Sequence, residues 1–170
     1  MSISNRRRRR GVQVAAGPPL VPGNLIPTMT TDTAPSGEAS ASGSYSGAYL
    51  AWKAFNHASG LWQMTGEVGW LQYQFPEAHI VTQYTIYPDY YAAGTWPPKT
   101  WTFKGSNNGT DWTTLDTQTN VSGWGTPPNT LKVFPFANTT SYTYYRLDIT
   151  AGLDNAYVGV GELEMMEVQG

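Results

Sequence analysis

The sequence predicts an all-β protein, and three observations lead to that prediction. Aromatic residues make up 14% of the 170 residues and are mainly tyrosine and tryptophan, which strands favour. The chain contains 18 glycines and 12 prolines, which place turns between strands. Short segments of alternating apolar and polar residues recur at the spacing typical of β-sandwiches. Cysteine is absent, so packing has to hold the core without disulfides or thiolate metal sites.

The chain divides into a basic arm, residues 1–24, and a domain, residues 25–170. The arm contains GPPLVPG, where proline removes backbone donors and disfavours helix and sheet, so we expect an extended segment. It carries five consecutive arginines, Arg6, Arg7, Arg8, Arg9 and Arg10, and no acidic residue. The domain carries all twelve acidic residues and five basic ones, so a net charge of +5 is joined to one of −7. We expect the two parts to meet different partners.

Within the domain, strand signals follow one another along the chain. Alternating alanine and serine over residues 39–42 predict an edge strand. The segment AYLAWKAFN is the helical candidate, and it is short. GWLQYQF then places Leu71, Tyr73 and Phe75 on one face of a strand, and HIVTQYTIYP continues with a second strand.

A hairpin comes next, because TWTFKGS and DWTTLDT flank the turn sequence NNGT. Asn-Gly favours the positive φ angles of a tight turn. We expect Trp101 and Trp112, one from each strand, to supply core area. TLKVFPF, YTYYRLDIT and VGVGELEMMEV complete the set of strands.

The order of these segments resembles the discoidin or coagulation-factor C-type (F5/8 type C) domain, and especially its carbohydrate-binding relatives. The resemblance covers residues 25–168 and is carried by AWKAFN, WLQYQF, PKTWTFKGSNNGTDWTTLDT, YYRLDIT and VGVGELEM, in that order. It implies an eight-stranded jelly-roll sandwich that binds ligands, often sugars, with loops at one end.

The loops that match in position are PDYYAAGTWPPK, NVSGWGTPPN and AGLDNAY. Aromatic rings in such loops stack on the apolar face of a pyranose, while amides and carboxylates read its hydroxyls. Trp124 is the leading candidate, because glycines flank it and few neighbours are available to bury it. The alternative is that these aromatic residues simply fill the end of the sandwich. The candidate ligand-binding residues are Tyr90, Tyr91, Trp96, Trp124, Asp154, Asn155 and Tyr157.

The resemblance also implies a structural calcium site, near a K-A-F-D-G segment and a late glutamate. Here the segment reads KAFNH, with Asn56 in place of the aspartate, and Glu162 is the late glutamate. Calcium prefers several hard oxygen ligands that include carboxylates, so this match is degraded. We expect no metal and no other cofactor, and we expect Asn56 to hold its loop by hydrogen bonds instead.

No catalytic constellation is recognisable in the sequence. His57 and His79 are the only histidines, the serines lack a nucleophile-elbow context, and the acidic residues are scattered. We therefore predict that the protein is not an enzyme.

Two functional hypotheses follow. The segment that leads into AWKAFN resembles discoidin-type modules in structural proteins of tailed bacteriophages. The first hypothesis is therefore a non-catalytic virion protein, such as a capsid decoration, head-fibre or tail component. In it the arm docks on other virion proteins, and the sandwich is displayed outside, where it meets host surface glycans. The alternative is a free carbohydrate-binding module that is accessory to a glycosidase.

Charge and hydropathy disfavour two classes of partner, nucleic acids and membranes. A nucleic-acid-binding protein led by the arginines is disfavoured, because phosphates repel the acidic domain. No apolar run is long enough to span a bilayer, and the arginine run lacks the apolar stretch of a secretory signal. We expect synthesis in the host cytoplasm, location in the virion and no membrane partner.

Overall fold

The computed structural model describes residues 22–88, 96–125 and 131–167. These residues form ten strands and one short 3₁₀ helix, Ala51–Phe55. In chain order the strands are β1 (Glu38–Ala41), β2 (Trp62–Thr65), β3 (Gly69–His79), β4 (Gln83–Tyr87), β5 (Pro98–Ser106), β6 (Thr113–Gln118), β7 (Lys132–Pro135), β8 (Tyr142–Gly152), β9 (Tyr157–Val160) and β10 (Glu162–Met166). Within the described ranges, no helix is long and apolar enough to cross a membrane.

The strands form two main antiparallel sheets and one ribbon. The larger sheet has the order β1-β3-β8-β5-β6, and the smaller has the order β10-β4-β7. These two sheets face each other and together contain the eight strands of the predicted sandwich. Strands β2 and β9 form a separate two-stranded ribbon. The structure therefore confirms the predicted all-β sandwich.

Aromatic side chains from both sheets fill the core. Tyr84 of β4 stacks on Phe103 of β5, with ring centroids 4.2 Å apart, and on Phe134 of β7 at 5.0 Å. The fully buried Trp101 donates its indole N–H to the Tyr84 hydroxyl at 2.8 Å, and that hydroxyl donates to Asp116 at 2.7 Å. Each buried polar group in this series of hydrogen bonds thus has a partner.

Several predicted elements appear as expected. β1 is the edge strand of the larger sheet, and Ala39 points into the core. The predicted inward face of β3 is confirmed, because Leu71, Tyr73 and Phe75 are all buried. The helical candidate is reduced to the 3₁₀ helix, whose Ala54 and Phe55 are fully buried.

The turn between β5 and β6 is not the tight Asn-Gly turn that was expected. The connection runs over residues 107–112, and of the Asn-Gly pair only Gly109 has a positive φ, +72°. The Asn108 side-chain oxygen instead accepts the backbone N–H groups of Thr110 and Asp111, at 3.0 and 2.8 Å. The asparagine side chain therefore organises a wider turn, so the tight-turn prediction was wrong.

Trp112 also differs from the prediction, because it is not a core residue. Its ring lies 4.0 Å from the guanidinium carbon of Arg146, and Trp70 covers that guanidinium from 4.2 Å. Gln72 accepts two hydrogen bonds from Arg146, at 3.1 and 2.8 Å. Burial between these groups lowers the pKa of Arg146. Trp112 precedes β6, so the alternation of the strand does not direct it inward.

The strand directions gather several loops at one end of the sandwich, which we call the loop pole. Gly69 at the start of β3 pairs with Ile149, and Pro98 at the start of β5 pairs with Gly152 at the end of β8. The connections at residues 42–50, 66–68 and 153–156 therefore meet at this pole.

The opposite end, which we call the terminal pole, carries both ends of the described chain. Asn24 forms a bridge with Met166, and the Leu25 N–H donates to the Met165 carbonyl at 2.8 Å. His79, the last residue of β3, lies at the same pole. Residue 22 therefore joins the domain far from the loop pole.

Candidate functional site

The loop between β1 and the 3₁₀ helix brings two tyrosines to the loop pole. Tyr45 donates its backbone N–H to Gln63 at 2.7 Å, and Gln63 donates to the Tyr49 carbonyl at 3.4 Å. The Trp62 indole N–H donates to the Gly43 carbonyl at 2.9 Å. These bonds fasten the small, polar loop along β2, so both tyrosine rings start from fixed backbone positions.

The connection between β8 and β9 is shaped by a carboxylate. One oxygen of Asp154 accepts the N–H groups of Ala156 and Tyr157, at 2.6 and 3.2 Å. The Gly66 N–H donates to the Ala156 carbonyl at 2.7 Å and ties in the neighbouring connection. Asn155 is exposed at the tip. Asp154 thus orients the start of β9, and Asn155 presents an amide beside it.

Four aromatic rings meet between these loops, and we call them the aromatic cluster: Tyr49, Tyr45, Tyr157 and Trp96. They form a row in which neighbouring ring centroids lie 5.7, 5.4 and 5.7 Å apart, all with tilted or edge-on geometry. Tyr45 is 51% exposed, and the other three are half-buried. The Trp96 carbonyl accepts the Gly159 N–H at 2.8 Å, which holds this end of the row against β9.

The cluster brings together some predicted residues and adds others. Trp96 and Tyr157 are in contact, and Asp154 and Asn155 lie in the adjoining turn. Tyr45 and Tyr49 were not predicted, although SYSGAYL offered a signal as two tyrosines in an otherwise small, polar segment. Tyr90, Tyr91 and the five arginines Arg6, Arg7, Arg8, Arg9 and Arg10 lie outside the described residues.

Trp124 is buried, so the expectation that it lacks burying neighbours was wrong. Its exposed fraction is 2%, and its ring packs 6.3 Å from Trp101. The Lys132 ammonium lies 5.3 Å from the Trp124 ring centroid. Flanking glycines loosen the backbone, but they do not keep neighbouring elements away. In this structure the ring has no face to offer a sugar.

The residues at the predicted calcium position fit that ion poorly. The Asn56 side-chain oxygen accepts the Ala58 N–H at 3.0 Å, so Asn56 holds its loop as expected. His57 donates its backbone N–H to Glu162 at 3.0 Å, and its Nδ1 lies 3.4 and 3.5 Å from Glu162 and Glu164 oxygens. The His57 imidazole thus lies beside the carboxylates that a calcium ion would need as ligands. Calcium takes about 6–8 oxygen ligands. In the described part of the chain, no group of three or more acidic or histidine side chains is suited to hold a metal.

Burial controls the charge of these buried groups. It raises the pKa of Glu162 well above its usual range, and the Glu164 carboxylate raises it further, while the His57 backbone N–H opposes the shift. Burial also lowers the pKa of His57. Both groups therefore favour their neutral forms, which reduces the cost of burying them without a metal.

Three of the solved structures that share this fold are sugar-binding modules. Chitosan-binding module 1 from a chitosanase/glucanase of Paenibacillus sp. IK-5 has a TM-score of 0.66 at 20% identity, over 85% of this chain and 98% of that one. A family 32 module from Clostridium perfringens, in complex with GalNAc-β-1,3-galactose, has a TM-score of 0.65 at 16% identity, over 77% and 95%. The galactose complex of the family 32 module of C. perfringens NanJ has a TM-score of 0.64 at 17% identity, over 76% and 92%. Modules of this kind are non-catalytic, and at these identities the likeness shows the fold.

No curated protein sequence matches the chain significantly. The family comparison does match, and it spans β1 to the start of β10. The sequence pattern of the F5/8 type C domain covers residues 38–163, most of the sandwich described above, and the chain belongs to that family.

Proposed function

We propose that this chain is a non-catalytic glycan-binding protein whose ligand lies on the aromatic cluster at the loop pole. The carrying observation is the row of four contacting rings with Tyr45 half exposed, because an exposed ring face stacks on the apolar face of a sugar. Asn155 and the second carboxylate oxygen of Asp154 lie in the adjoining turn, where they can form hydrogen bonds with the hydroxyls of the sugar. Structural relatives in complex with galactose and with GalNAc-β-1,3-galactose support a sugar as the ligand.

The chemistry at this pole supports binding without catalysis. Asp154 is committed to a turn, because one of its carboxylate oxygens accepts the N–H groups of Ala156 and Tyr157. A glycosidase needs two carboxylates on either side of the scissile bond. We therefore propose that the chain has no enzymatic activity.

The arm supports a second part of the proposal, which is attachment to a larger assembly. Asn24 and Leu25 are fastened to β10 at the terminal pole, so residues 1–21 join the domain at the end opposite the cluster. A partner bound there leaves the loop pole open. The finer hypothesis is a phage virion protein, held by the arginine run on capsid or tail proteins and located in the virion. This hypothesis rests on the sequence of the arm and its segment into the domain.

The alternative is a carbohydrate-binding module that is accessory to a glycosidase. The chitosan-binding relative comes from a chitosanase/glucanase, which favours this alternative. The arginine run favours attachment to an acidic protein surface, because guanidinium groups pair with carboxylates.

Two experiments test these proposals. A glycan array probed with the full chain, and with Tyr157→Ala beside it, tests sugar binding; no bound glycan, or equal binding by the variant, contradicts it. Immunogold electron microscopy of the source material tests the location. Label on phage heads or tails supports the virion hypothesis, and label confined to soluble or cell-surface material contradicts it. Assembly onto particles that is sensitive to salt and is lost on deleting residues 1–12 supports attachment through the arm.

A further inference from the structure

A groove that the proposed function does not use runs along the terminal pole. Its first hollow, of about 340 Å³, has an apolar lining of Leu25, Pro27, Tyr73, Phe75 and Pro76. A second hollow of about 320 Å³ shares Phe75 and Pro76 with the first. The two hollows therefore adjoin, and the second lies against the edge strand β1.

The groove is acidic along its length. Glu77 lines the first hollow and Glu38 the second. A third hollow shares Glu38 and adds Asp32. Within the described residues, none of these three carboxylates forms a salt bridge, and no lysine or arginine lines the hollows. Apart from His79, which lines the first hollow, the described residues place no basic side chain against these carboxylates.

The chain enters the domain beside this groove through a turn. Pro22 and Gly23 form the turn, and Gly23 has a φ of +87°. Proline followed by a glycine of positive φ is the central pair of a type II turn, which reverses the chain. The residues that follow, Leu25 and Pro27, line the first hollow. The described chain therefore begins directly beside the first hollow.

We propose that the arm of the same chain occupies this groove, with residues 17–21 on its apolar floor and the arginines against its carboxylates. The segment GPPLV combines prolines with two aliphatic side chains. These match the accessible part of the apolar lining, which is Leu25, Pro27 and Pro76, because Tyr73 and Phe75 are buried beneath it. The residues from Arg10 to Val21 reach about 3.1 Å each when extended, far enough to bring arginines to Glu38 and Asp32. The charge of +5 on the arm then meets an acidic face of a domain of −7. An external acidic partner has to displace the arm from this resting position.

Disulfide trapping tests the position, because the chain has no native cysteine. In the full-length double variant Gly17→Cys/Glu77→Cys, docking brings the two thiols together. The matched control is Gly17→Cys/Val68→Cys, since Val68 is 59% exposed at the loop pole. We expect the intramolecular disulfide of the first variant to form about tenfold faster or more, because docking raises the effective concentration. Equal rates overturn the proposal, and so does a disulfide-linked dimer, which identifies a second copy as the occupant.

Protease protection tests the charge contacts without introducing cysteine. Trypsin cleaves after the arginines, and a docked arm is shielded from it. We expect Glu77→Lys and Glu38→Lys to accelerate cleavage severalfold over Glu67→Lys, which makes the same charge change at the loop pole. Salt should reduce the difference, because it screens exposed charges. Equal cleavage of all three variants overturns the proposal, and so does protection that depends on protein concentration.

Discussion

Replacing Tyr45 with alanine is the sharpest test of the aromatic cluster. A tyrosine buries about 150–250 Å² when fully covered. Tyr45 is 51% exposed, so about 100 Å² of its side chain is available to a ligand. A sugar ring that covers half of this removes about 50 Å² from water on each partner, and at about 25 cal/mol per Å² that contributes at most about 2.5 kcal/mol. Tyr45→Ala should therefore weaken glycan binding by about 1–2.5 kcal/mol, or about 5- to 70-fold in Kd.

The assay is isothermal titration calorimetry of the full chain with a glycan selected on the array. The variant should stay folded, because the ring makes only edge-on contacts with Tyr49 and Tyr157, each worth about 0.5–1.5 kcal/mol. Val133→Ala is the matched control, since Val133 is 49% exposed on β7 and lies outside the cluster. A folded Tyr45→Ala variant that binds as well as wild type refutes the reasoning.

Four further predictions concern the core and the buried charges. Tyr84→Phe should destabilise the fold by about 1–3 kcal/mol in urea unfolding, since it leaves the Trp101 N–H buried without its acceptor; a loss below about 1 kcal/mol contradicts this. Trp124→Ala should cost about 3–5 kcal/mol and leave glycan affinity unchanged in the folded fraction; weakened affinity restores Trp124 as a binding residue. The pKa of Glu162 is raised in the folded state, so its contribution to stability is present below the unfolded value of 4.5 and is lost as pH rises. Glutamine does not titrate, so Glu162→Gln should gain stability relative to wild type between acidic and neutral pH. A difference in unfolding free energy that stays constant with pH refutes this. Calcium and EDTA should leave the thermal midpoint unchanged, and a calcium-dependent rise of several degrees contradicts the absence of a calcium site.

Alternation in the sequence predicted the sandwich well where a strand has one buried face. Leu71, Tyr73 and Phe75 alternate in the sequence and are buried in the structure, because a period of two places them on one side of β3. The same argument did not apply to Trp112, which lies in the connection before β6. The guanidinium of Arg146, from a distant strand, covers its ring, and no local pattern reports such a partner.

The candidate site was predicted only in part, because its members come from separate segments. Trp96 and Tyr157 were identified from loop composition together with the family resemblance. Tyr45 reaches Tyr157 because β1 pairs with β3 and the following loop is fastened along β2, beside β9. That pairing is tertiary information. The prediction for Trp124 was wrong for the converse reason: a residue expected at the surface packs on Trp101 in the core.

The proposed attachment through the arm and the proposed glycan binding use opposite poles of one small domain. Asn24 and Met166 lie at the terminal pole, and the cluster around Tyr157 lies at the loop pole, so a partner held through the arm does not compete with a glycan for space. Both a virion protein and an accessory module of an enzyme need the attached end and the binding end to be separate, so the geometry alone favours neither hypothesis. The charge of the arm provides a test that separates the two hypotheses. Tethering to a catalytic domain needs only a linker, whereas the virion hypothesis assigns the five arginines to an acidic surface and predicts assembly that weakens with salt. If assembly is salt-sensitive, many copies on one particle make weak glycan contacts effective, because linked sites raise the effective concentration.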